Sequence, residues 1–293
     1  MKCLFIFNPK SGKSKIAKKL DKIVSCLKSL FDFVVVHPSA SSQDIVDCII
    51  SYQNEIDCVV VAGGDGTISQ AVNGILQTGK KIKLGLLPFG TVNDVAHSLK
   101  IPRCTDKALK VIASGKTFLH DVIKVNNRYG IYVFAAGLFT ETSYNTSQKA
   151  KKKFGRIAYG LHALKKFSQT KNKNLDFAFE NEKLSCLCSF FLLSNSRFVA
   201  GQKIEKNALL DDGEARAVII KSKSEKPSFA DFSKIIKLFL FGLNCGKKVV
   251  NKHISNVEIS CQEKINFNLD GECFEANKVN LSIVKQAIEI FVP

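Results

Sequence analysis

The feature of this sequence that most restricts its fold is a unit that occurs three times in the first 120 residues. Each unit has a short apolar run, a turn containing Gly or Pro, and then apolar residues at helical spacing. The apolar runs are Lys2 to Phe7, Asp57 to Ala62 and Ile82 to Leu87, with a further strand, Phe33 to His37, and a helix near Gln43 to Tyr52 between the first two units. Alternating strands and helices predict a parallel sheet covered by helices. We therefore expect an α/β domain over residues 1–120.

After residue 120 the pattern changes to short alternating strands joined by hairpin turns. Asp121 to Val125 and Tyr129 to Phe134 are two such strands, on either side of Asn126-Asn127-Arg128. Later strands are predicted at Leu175 to Phe179, Leu184 onward, Ala215 to Ile220, Val257 to Cys261, Ile265 to Leu269, Val279 to Val284 and Ala287 to Val292. We expect a second, β-rich domain over residues 121–293, built as a sandwich or a barrel.

Positive charge is concentrated in two segments of the chain. The formal net charge is +17, residues 1–30 hold eight lysines and one acid, and residues 142–175 hold nine Lys or Arg and no acid. The remainder is close to neutral. Clustered charge of this kind indicates a polyanionic partner, which could be nucleotide phosphates, an anionic membrane or a nucleic acid.

The sequence predicts a cytosolic protein that touches membranes only peripherally. The longest apolar runs, Ile131 to Leu138 and Leu238 to Leu243, are far shorter than the roughly 20 residues that a helix needs to cross a bilayer. The apolar stretch at the start, Cys3 to Phe7, is too short for the core of a signal peptide. The ten cysteines include no CxxC pair, which fits a reducing compartment.

The glycine-rich loop Gly63-Gly64-Asp65-Gly66-Thr67 lies where a predicted strand ends and a helix begins. Free backbone N–H groups and the helix dipole favour a phosphate at such a place, and glycine lets the backbone approach it closely. A carboxylate beside a bound phosphate needs a cation between them, so Asp65 is interpreted as a ligand of Mg²⁺ or of its waters.

Two further loops follow neighbouring strands. Pro88-Phe89-Gly90-Thr91-Val92-Asn93-Asp94 places a hydroxyl, an amide and a second carboxylate at a helix start, and Asn8-Pro9-Lys10-Ser11-Gly12 is a small polar turn with a lysine. Either loop alone could be an ordinary turn or cap.

Acids recur at strand boundaries in the second half. They belong to Leu209-Leu210-Asp211-Asp212-Gly213-Glu214 and to Asp270-Gly271-Glu272. Solvated turns have similar sequences, but phosphoryl transfer to an alcohol needs a carboxylate that accepts the hydroxyl proton and further acids that hold Mg²⁺.

In this order the motifs resemble those of the diacylglycerol kinase catalytic-domain superfamily, which includes bacterial soluble lipid kinases, sphingosine kinases and ceramide kinases. The resemblance covers the whole chain. It implies an ATP-dependent lipid kinase with an α/β nucleotide-binding domain, a β-rich second domain and a site between them, and diacylglycerol as the expected acceptor.

The resemblance also implies roles for individual residues. ATP is expected at Asn8, Pro9, Lys10, Ser11, Gly12, Gly63, Gly64, Asp65, Gly66, Thr67, Thr91 and Asn93, with Ser39 as a further contact. Asp65, Asp94 and Asp121 are expected around Mg²⁺, and Leu209, Asp212 and Glu214 around a structural Mg²⁺. Asp270 and Glu272 are the expected catalytic acids, with Asp270 as general base. Gln70 and His97 differ from the residues usual in the family, Glu and Arg.

Two alternatives remain open from the sequence alone. An NAD kinase shares the glycine-rich loop and phosphorylates a soluble acceptor, and the lipid acceptor could be phosphatidylglycerol or a sphingoid base. A nucleic-acid-binding protein is not favoured, because no RRM, KH or helix-turn-helix signature is present and aromatic residues are few among the lysines.

A lipid kinase without a spanning helix must dock on the membrane from outside. The basic amphipathic stretch Lys149 to Lys173 is the expected dock for an anionic surface, although a core-packed helix with a solvated lysine face would have the same pattern. The sequence leaves a homodimer open.

Overall fold

The structure is a computed structural model that describes residues 1–9, 11, 16–137, 171–241 and 249–293. Lys10 and Gly12 of the first loop, and most of the expected docking stretch, lie outside the described residues. Within the described ranges, no helix is long and apolar enough to cross a membrane.

The first half of the chain folds as the three units predict. Its four parallel strands have the spatial order β2-β1-β3-β4. They are β1 (Lys2–Phe7), β2 (Phe33–Pro38), β3 (Cys58–Gly63) and β4 (Lys83–Pro88). The helices are α1 (Leu20–Leu30), α2 (Ser42–Tyr52), α3 (Asp65–Thr78), α4 (Asp94–Ser98) and α5 (Thr105–Ala113). All six residues of β3 are buried, as expected for the centre of a parallel sheet. The α/β prediction is confirmed.

Ordinary local signals fix the ends of these helices. The Ser41 side chain accepts a hydrogen bond from the Asp44 amide and caps the start of α2. Gly79, with a φ of 67°, ends α3 in the left-handed conformation that glycine adopts at little cost. The helix of the third unit, α4, begins at Asp94, because Asn93 directly before it is left-handed, with a φ of 59°.

The second half is β-rich, as predicted. Its strands are β5 (Thr117–Val125), β6 (Arg128–Gly130), β7 (Val133–Gly137), β8 (Lys173–Ala178), β9 (Lys183–Ser194), β10 (Phe198–Val199), β11 (Gln202–Lys203), β12 (Ala215–Lys221), β13 (Val249–Ile254), β14 (Asn256–Leu269) and β15 (Glu272–Phe291). One helix, α6 (Phe229–Phe241), follows β12.

The long strands β9 and β14 each change partner halfway along. Their first halves pair with β8 and their second halves with β7, so the four strands enclose an apolar interior. Phe134, Phe177, Phe191 and Phe267 fill it, with ring centroids 5.4 to 6.0 Å apart in the closest pairs. This packing of large aromatic rings stabilises the β-rich half.

The last strand connects the two halves of the chain. Most of β15 pairs with β14 and β5, but Ile290 pairs in parallel with Leu84 of β4. Its end therefore extends the first sheet, and Ile288, Ile290 and Phe291 are buried in the core of the α/β half. The division into domains at residue 120 stays a prediction.

Three strand predictions differ from the structure. Val257 to Cys261 and Ile265 to Leu269 are parts of one strand, β14, and the last two predicted strands are parts of β15. Register shifts interrupt both long strands at the predicted gaps. The single strand expected at Tyr129 to Phe134 is wrong, because the chain leaves the β ladder at Ile131 and Tyr132, whose amides donate to a side chain.

Candidate active site

The carboxyl ends of the four parallel strands carry the residues expected to bind nucleotide. Register pairs join Phe7 to both Pro38 and Ala62, and Gly63 to Pro88, so the strands end side by side. The residues that follow are Ser39, Asn8, Gly64 and Phe89. This edge is where open α/β sheets bind ligands. The structure thus brings the three predicted loops together.

The two glycine-containing loops touch backbone to backbone. The Phe89 and Gly90 amides both donate to the Gly63 carbonyl, at 2.7 and 3.1 Å. A Cβ on Gly90 would lie 2.5 Å from the Gly64 Cα, and one on Gly63 would lie 2.3 Å from the Thr67 Oγ1. The approach therefore requires glycine at these positions. The main chain at Gly63, Gly64 and Gly90 forms a surface without side chains, here called the glycine floor, which a polyphosphate could approach closely.

Asn93 lies beneath this contact. Its Nδ2 donates to the Gly90 carbonyl at 2.8 Å, while its Oδ1 is buried and has no hydrogen-bond partner. A buried oxygen without a donor is costly. A bound ligand with a hydroxyl or N–H group could donate to this Asn93 oxygen. The unpartnered oxygen and the glycine floor are therefore both consistent with a ligand site.

Asp65 and Asp94 lie at the starts of α3 and α4. The Asp65 Oδ1 accepts a hydrogen bond from the Val95 amide at 3.2 Å, and the Asp94 Oδ1 accepts one from the Gly201 amide at 3.0 Å. Burial raises the pKa of Asp94 to about 6, and the nearby Asp65 carboxylate contributes to the rise. A cation between the two carboxylates would relieve their repulsion.

Asp270 is held by backbone amides from the second half. Its Oδ2 accepts from the Ile131 amide at 2.6 Å, and its Oδ1 from the Tyr132 and Val133 amides at 3.1 and 2.9 Å. The Ser69 hydroxyl of α3 also lies close to this carboxylate and favours its ionised form. Burial raises the pKa of Asp270 to about 6 although the three amides and the Ser69 hydroxyl oppose the rise. The carboxylate is ionised at neutral pH and poised to accept a proton.

Glu272 lies beside Asp270 in a small open cleft between α3 and the β-rich half. Ser69, Gln70, Asn73, Tyr129 and Leu269 are among the residues that line this cleft. The Glu272 Oε1 accepts a hydrogen bond from the Gln70 Nε2 at 2.6 Å. Gln70, unusual at its position, thus has a defined role here, since an amide can donate where an ionised Glu could not.

Tyr132 lies near both Asp270 and the nucleotide-facing acids Asp65 and Asp94. Its amide donates to Asp270 and its carbonyl accepts from the Asn195 amide. The pKa of its phenol is raised well above the usual value by burial and by the Asp270, Asp65 and Asp94 carboxylates. All three acids are therefore within electrostatic reach of one side chain, which stays protonated as a donor.

Asp121 has different neighbours. It is fully buried, and its two carboxylate oxygens accept from the amides of Gln286 at 2.6 Å and Gly213 at 2.7 Å. Burial raises its pKa, and the charges that add to the rise are Asp212 and Asp211. The structure thus places Asp121 with the acidic loop of the second half.

That acidic loop is organised by its own hydrogen bonds. The Asp212 Oδ1 accepts from the Glu214 amide at 3.0 Å, Leu209 is exposed, and the Glu214 carboxylate lies 3.9 Å from the His253 Nδ1. In the described part of the chain, no three Asp, Glu, His or Cys side chains are arranged to hold a metal ion by themselves. The metal roles of these residues stay predictions.

Several residues of the site were not predicted from the sequence. Ser69 and the Ile131–Val133 amides hold Asp270, and the Gln286 amide, in a residue with a φ of 50°, holds Asp121. His97 packs on the Phe198 ring at 5.2 Å instead of contacting an acid. Gln70 was visible in the sequence, but only as a departure from the Glu that is usual in the family.

Comparisons with known proteins agree on one family. Residues 2–125 match the family described as "Diacylglycerol kinase catalytic domain". A protein named diacylglycerol kinase from Staphylococcus carnosus (strain TM300) is 32% identical over 291 residues, which cover 98% of this chain and 94% of that protein. A diacylglycerol kinase from Staphylococcus epidermidis is 31% identical over the same share of this chain and 91% of its own length.

Solved structures share the fold. A crystal structure of a diacylglycerol kinase from Bacillus anthracis str. Sterne superposes with a TM-score of 0.78 at 18% identity, covering 100% of this chain and 97% of that chain. Another structure from the same organism gives a TM-score of 0.82 at 22% identity. The shared architecture therefore extends over both halves of the chain.

Proposed function

The chain belongs to the diacylglycerol kinase family and is a lipid kinase, and on that premise we propose that it transfers the γ-phosphoryl group of ATP to the free hydroxyl of a diacylglycerol, giving phosphatidic acid. The observation that carries this proposal is the Asp270 carboxylate, which three backbone amides hold next to Leu269 and Glu272, two residues that line a small open cleft. Phosphoryl transfer to an alcohol needs such a base next to a phosphate site.

ATP is proposed to lie along the carboxyl edge of the parallel sheet. The glycine floor formed by Gly63, Gly64 and Gly90 admits phosphates close to the main chain, and the unpartnered Asn93 Oδ1 could accept a hydrogen bond from a nucleotide hydroxyl or from a water bound to Mg²⁺. Asn8, Pro9, Ser11, Gly66, Thr67 and Thr91 surround this floor, and Ser39 donates to the Phe7 carbonyl beside it. Lys10 and Gly12, which lie outside the described residues, are also proposed to contact ATP.

Mg²⁺ is proposed to accompany the nucleotide. Mg²⁺ is usually held by one or two carboxylates together with substrate phosphates, and Asp65 and Asp94 supply two that repel each other. When bound, the ion would neutralise charge on the transferred phosphoryl group. Asp121, which contacts the acidic loop through the Gly213 amide, is proposed to belong with Asp65 and Asp94 to a network of carboxylates and waters around this ion. Leu209, Asp212 and Glu214 are proposed to hold a structural Mg²⁺.

Asp270 is proposed as the general base. A carboxylate has about four lone-pair positions, and backbone amides occupy three of those of Asp270. The nearby Ser69 hydroxyl can rotate about its side-chain bond and leave the fourth position open. This position would accept the proton of the lipid hydroxyl as the lipid oxygen attacks the γ-phosphorus and ADP leaves.

Glu272 is proposed to orient the acceptor, with Gln70 fixing its position. Replacing Gln70 by Met, which has similar length and no donor, should lower kcat/KM for the lipid about tenfold, because a hydrogen bond to a charged group contributes about 1.5–3 kcal/mol. The KM for ATP should stay unchanged. Steady-state kinetics with each substrate varied in turn measures both constants, and an equal loss for ATP would contradict the assignment.

Peripheral docking on an anionic membrane is proposed through Lys149 to Lys173, a segment that lies largely outside the described residues. Reversing Lys151, Lys152 and Lys153 to Glu should reduce co-sedimentation with anionic vesicles at least tenfold, because each lysine near such a surface contributes about 1 kcal/mol. Unchanged sedimentation would show that this segment is not the dock.

The proposed function is tested by a radiolabelled ATP assay against diacylglycerol, phosphatidylglycerol, ceramide and sphingosine, with NAD alongside. Label should appear in phosphatidic acid and be lost when EDTA is added in excess. Transfer to NAD without lipid would support the soluble-acceptor alternative. Transfer to another lipid would keep the lipid kinase and change its acceptor.

A further inference from the structure

Helix α6 covers one face of the β-rich half with only part of its apolar surface. Ile235 and Leu238 are buried against Val218 and Ile220 of β12 in a separate small core. The helix has no counterpart in the sequence predictions and takes no part in the site described above.

The outer face of α6 carries large apolar side chains in water. Phe229 is 79% exposed, the highest value for a large hydrophobic residue in the described part of the chain, and Ile236, two turns later, is 37% exposed. The half-buried Phe232 lies between them, its ring centroid 6.5 Å from that of Phe229. An apolar stripe of this kind is typical of a contact surface.

The charges around this stripe are mainly positive. Lys223, Lys226 and Lys237 are exposed. Asp231 is buried, and its carboxylate accepts hydrogen bonds from Ser222 and Ser228 and pairs with Lys234 at 3.2 Å. Glu225 is the exposed acid nearby, so the lysines outnumber it. An amphipathic helix with aromatic residues among lysines fits the interface of an anionic bilayer.

The turn that precedes α6 contacts the end of the basic segment, residues 142–175. The Asn172 amide donates to the Glu225 carbonyl and the Asn172 Nδ2 to the Ser224 carbonyl, both at 2.8 Å. Lys171 next to it is exposed, and residues 142–175 contain nine Lys or Arg and no acid. The described end of the most basic segment, at Lys171 and Asn172, therefore lies against the turn that leads into the helix with the exposed aromatic stripe.

We propose that the outer face of α6, with Phe229 and Ile236 entering the lipid and Lys226 and Lys237 facing its headgroups, is a docking surface for anionic bilayers. The proposal rests on the proposed function, because a bilayer is where a diacylglycerol acceptor resides. Charge complementarity favours a bilayer over a second copy of the chain, whose identical lysines would face each other at a twofold contact.

The test compares the full chain with the double variant Phe229→Ser, Ile236→Ser. Phe33→Ser is the matched control, because Phe33 is 52% exposed on β2, at the opposite end of the sheet from β12. For the charges, Lys226→Gln with Lys237→Gln is compared with Lys107→Gln and Lys110→Gln on α5. Co-sedimentation is measured with phosphatidylcholine vesicles, with and without phosphatidylglycerol.

We expect the double serine variant to bind anionic vesicles at least tenfold more weakly, because burying one large apolar side chain changes the binding constant tenfold or more. The variant with Lys226→Gln and Lys237→Gln should bind anionic vesicles about 30-fold more weakly and neutral vesicles equally well, because each lysine near an anionic surface contributes about 1 kcal/mol. Both controls should bind as the unmodified chain does. Vesicle binding by the double serine variant equal to that of Phe33→Ser would overturn the proposal.

Activity separates docking from catalysis. The double serine variant should lose activity on long-chain diacylglycerol in vesicles and keep full activity on a short-chain diacylglycerol dissolved as monomers. Loss on both, or conversion of a dimer to a monomer in sedimentation velocity, would assign the face to substrate or subunit contact and overturn docking. A chain that binds vesicles through these residues but phosphorylates neither substrate would support docking and overturn the proposed acceptor.

Discussion

Replacing Asp270 by Asn is expected to lower kcat about 10³-fold while leaving ATP binding unchanged. A positioned general base contributes about 10²- to 10⁴-fold, and an amide cannot accept the hydroxyl proton. Asn is the appropriate substitution because Asp270 has a φ of 51°, a left-handed conformation that Asn tolerates and Ala does not. Calorimetric titration with ATP should give the unmodified Kd.

The same variant should also be slightly less stable than the unmodified chain. An Asn amide placed at Oδ2 would meet the Ile131 N–H, which would lose its acceptor at 2.6 Å. An unsatisfied buried donor costs about 1–3 kcal/mol, so thermal unfolding should occur a few degrees lower. Activity is therefore compared well below the unfolding transition.

The pH profile separates a base from a merely structural carboxylate. Burial raises the pKa of Asp270 to about 6, and the base acts only when it is deprotonated. The kcat/KM for the lipid should therefore rise with pH and level off above about 6, and this rise should be absent in the Asn variant. Glu272→Gln should lose about tenfold and keep the rise. An Asn variant with a third of the normal kcat, or a profile unchanged in shape, would contradict the assignment.

The nucleotide-facing edge could be predicted from the sequence because its signals are local. Each strand, its Gly or Pro turn and the following helix are contiguous, and parallel strands necessarily end at the same edge. The distance between neighbouring loops, in contrast, cannot be predicted from the sequence. That Gly90 touches Gly64 depends on the lateral order of β3 and β4, which is set by packing and not by either loop.

The catalytic side of the site could be predicted only in part. Asp270 was visible as an acid after a strand, but its partners come from residues more than a hundred positions away, at Ile131 to Val133 and Ser69. The hydrophobic alternation of Tyr129 to Phe134 favours a continuous strand, and tertiary hydrogen bonds to a buried carboxylate overrode it. Asp121 shows the same limit, since its neighbours are set by where β5 and the acidic loop meet.

Replacing Gly90 by Ala is expected to lower kcat/KM for ATP about 100-fold. The added Cβ would lie 2.5 Å from both the Gly64 Cα and the Asn93 Oδ1. Backbone atoms cannot yield as a flexible side chain can, so the two loops must move apart and the Gly63 carbonyl would lose the Phe89 and Gly90 amides. The rate of phosphoryl transfer is sensitive to shifts of this size, because misplacement of reacting groups by about 1 Å can lower a rate 10²-fold.

Stability measurements identify steric separation of the loops as the cause. Overpacking of a rigid contact costs about 1–3 kcal/mol, so Gly90→Ala should unfold at lower temperature or denaturant concentration. Gly66→Ala is the folding control from the same motif, because its Cβ would have no neighbour within 4 Å and α3 gains a better helix former. It should unfold no earlier than the unmodified chain. If Gly90→Ala keeps a normal kcat/KM for ATP, the contact between the loops does not shape the nucleotide site; if both variants lose stability equally, loop flexibility and not the Gly64–Gly90 approach governs the fold at this edge.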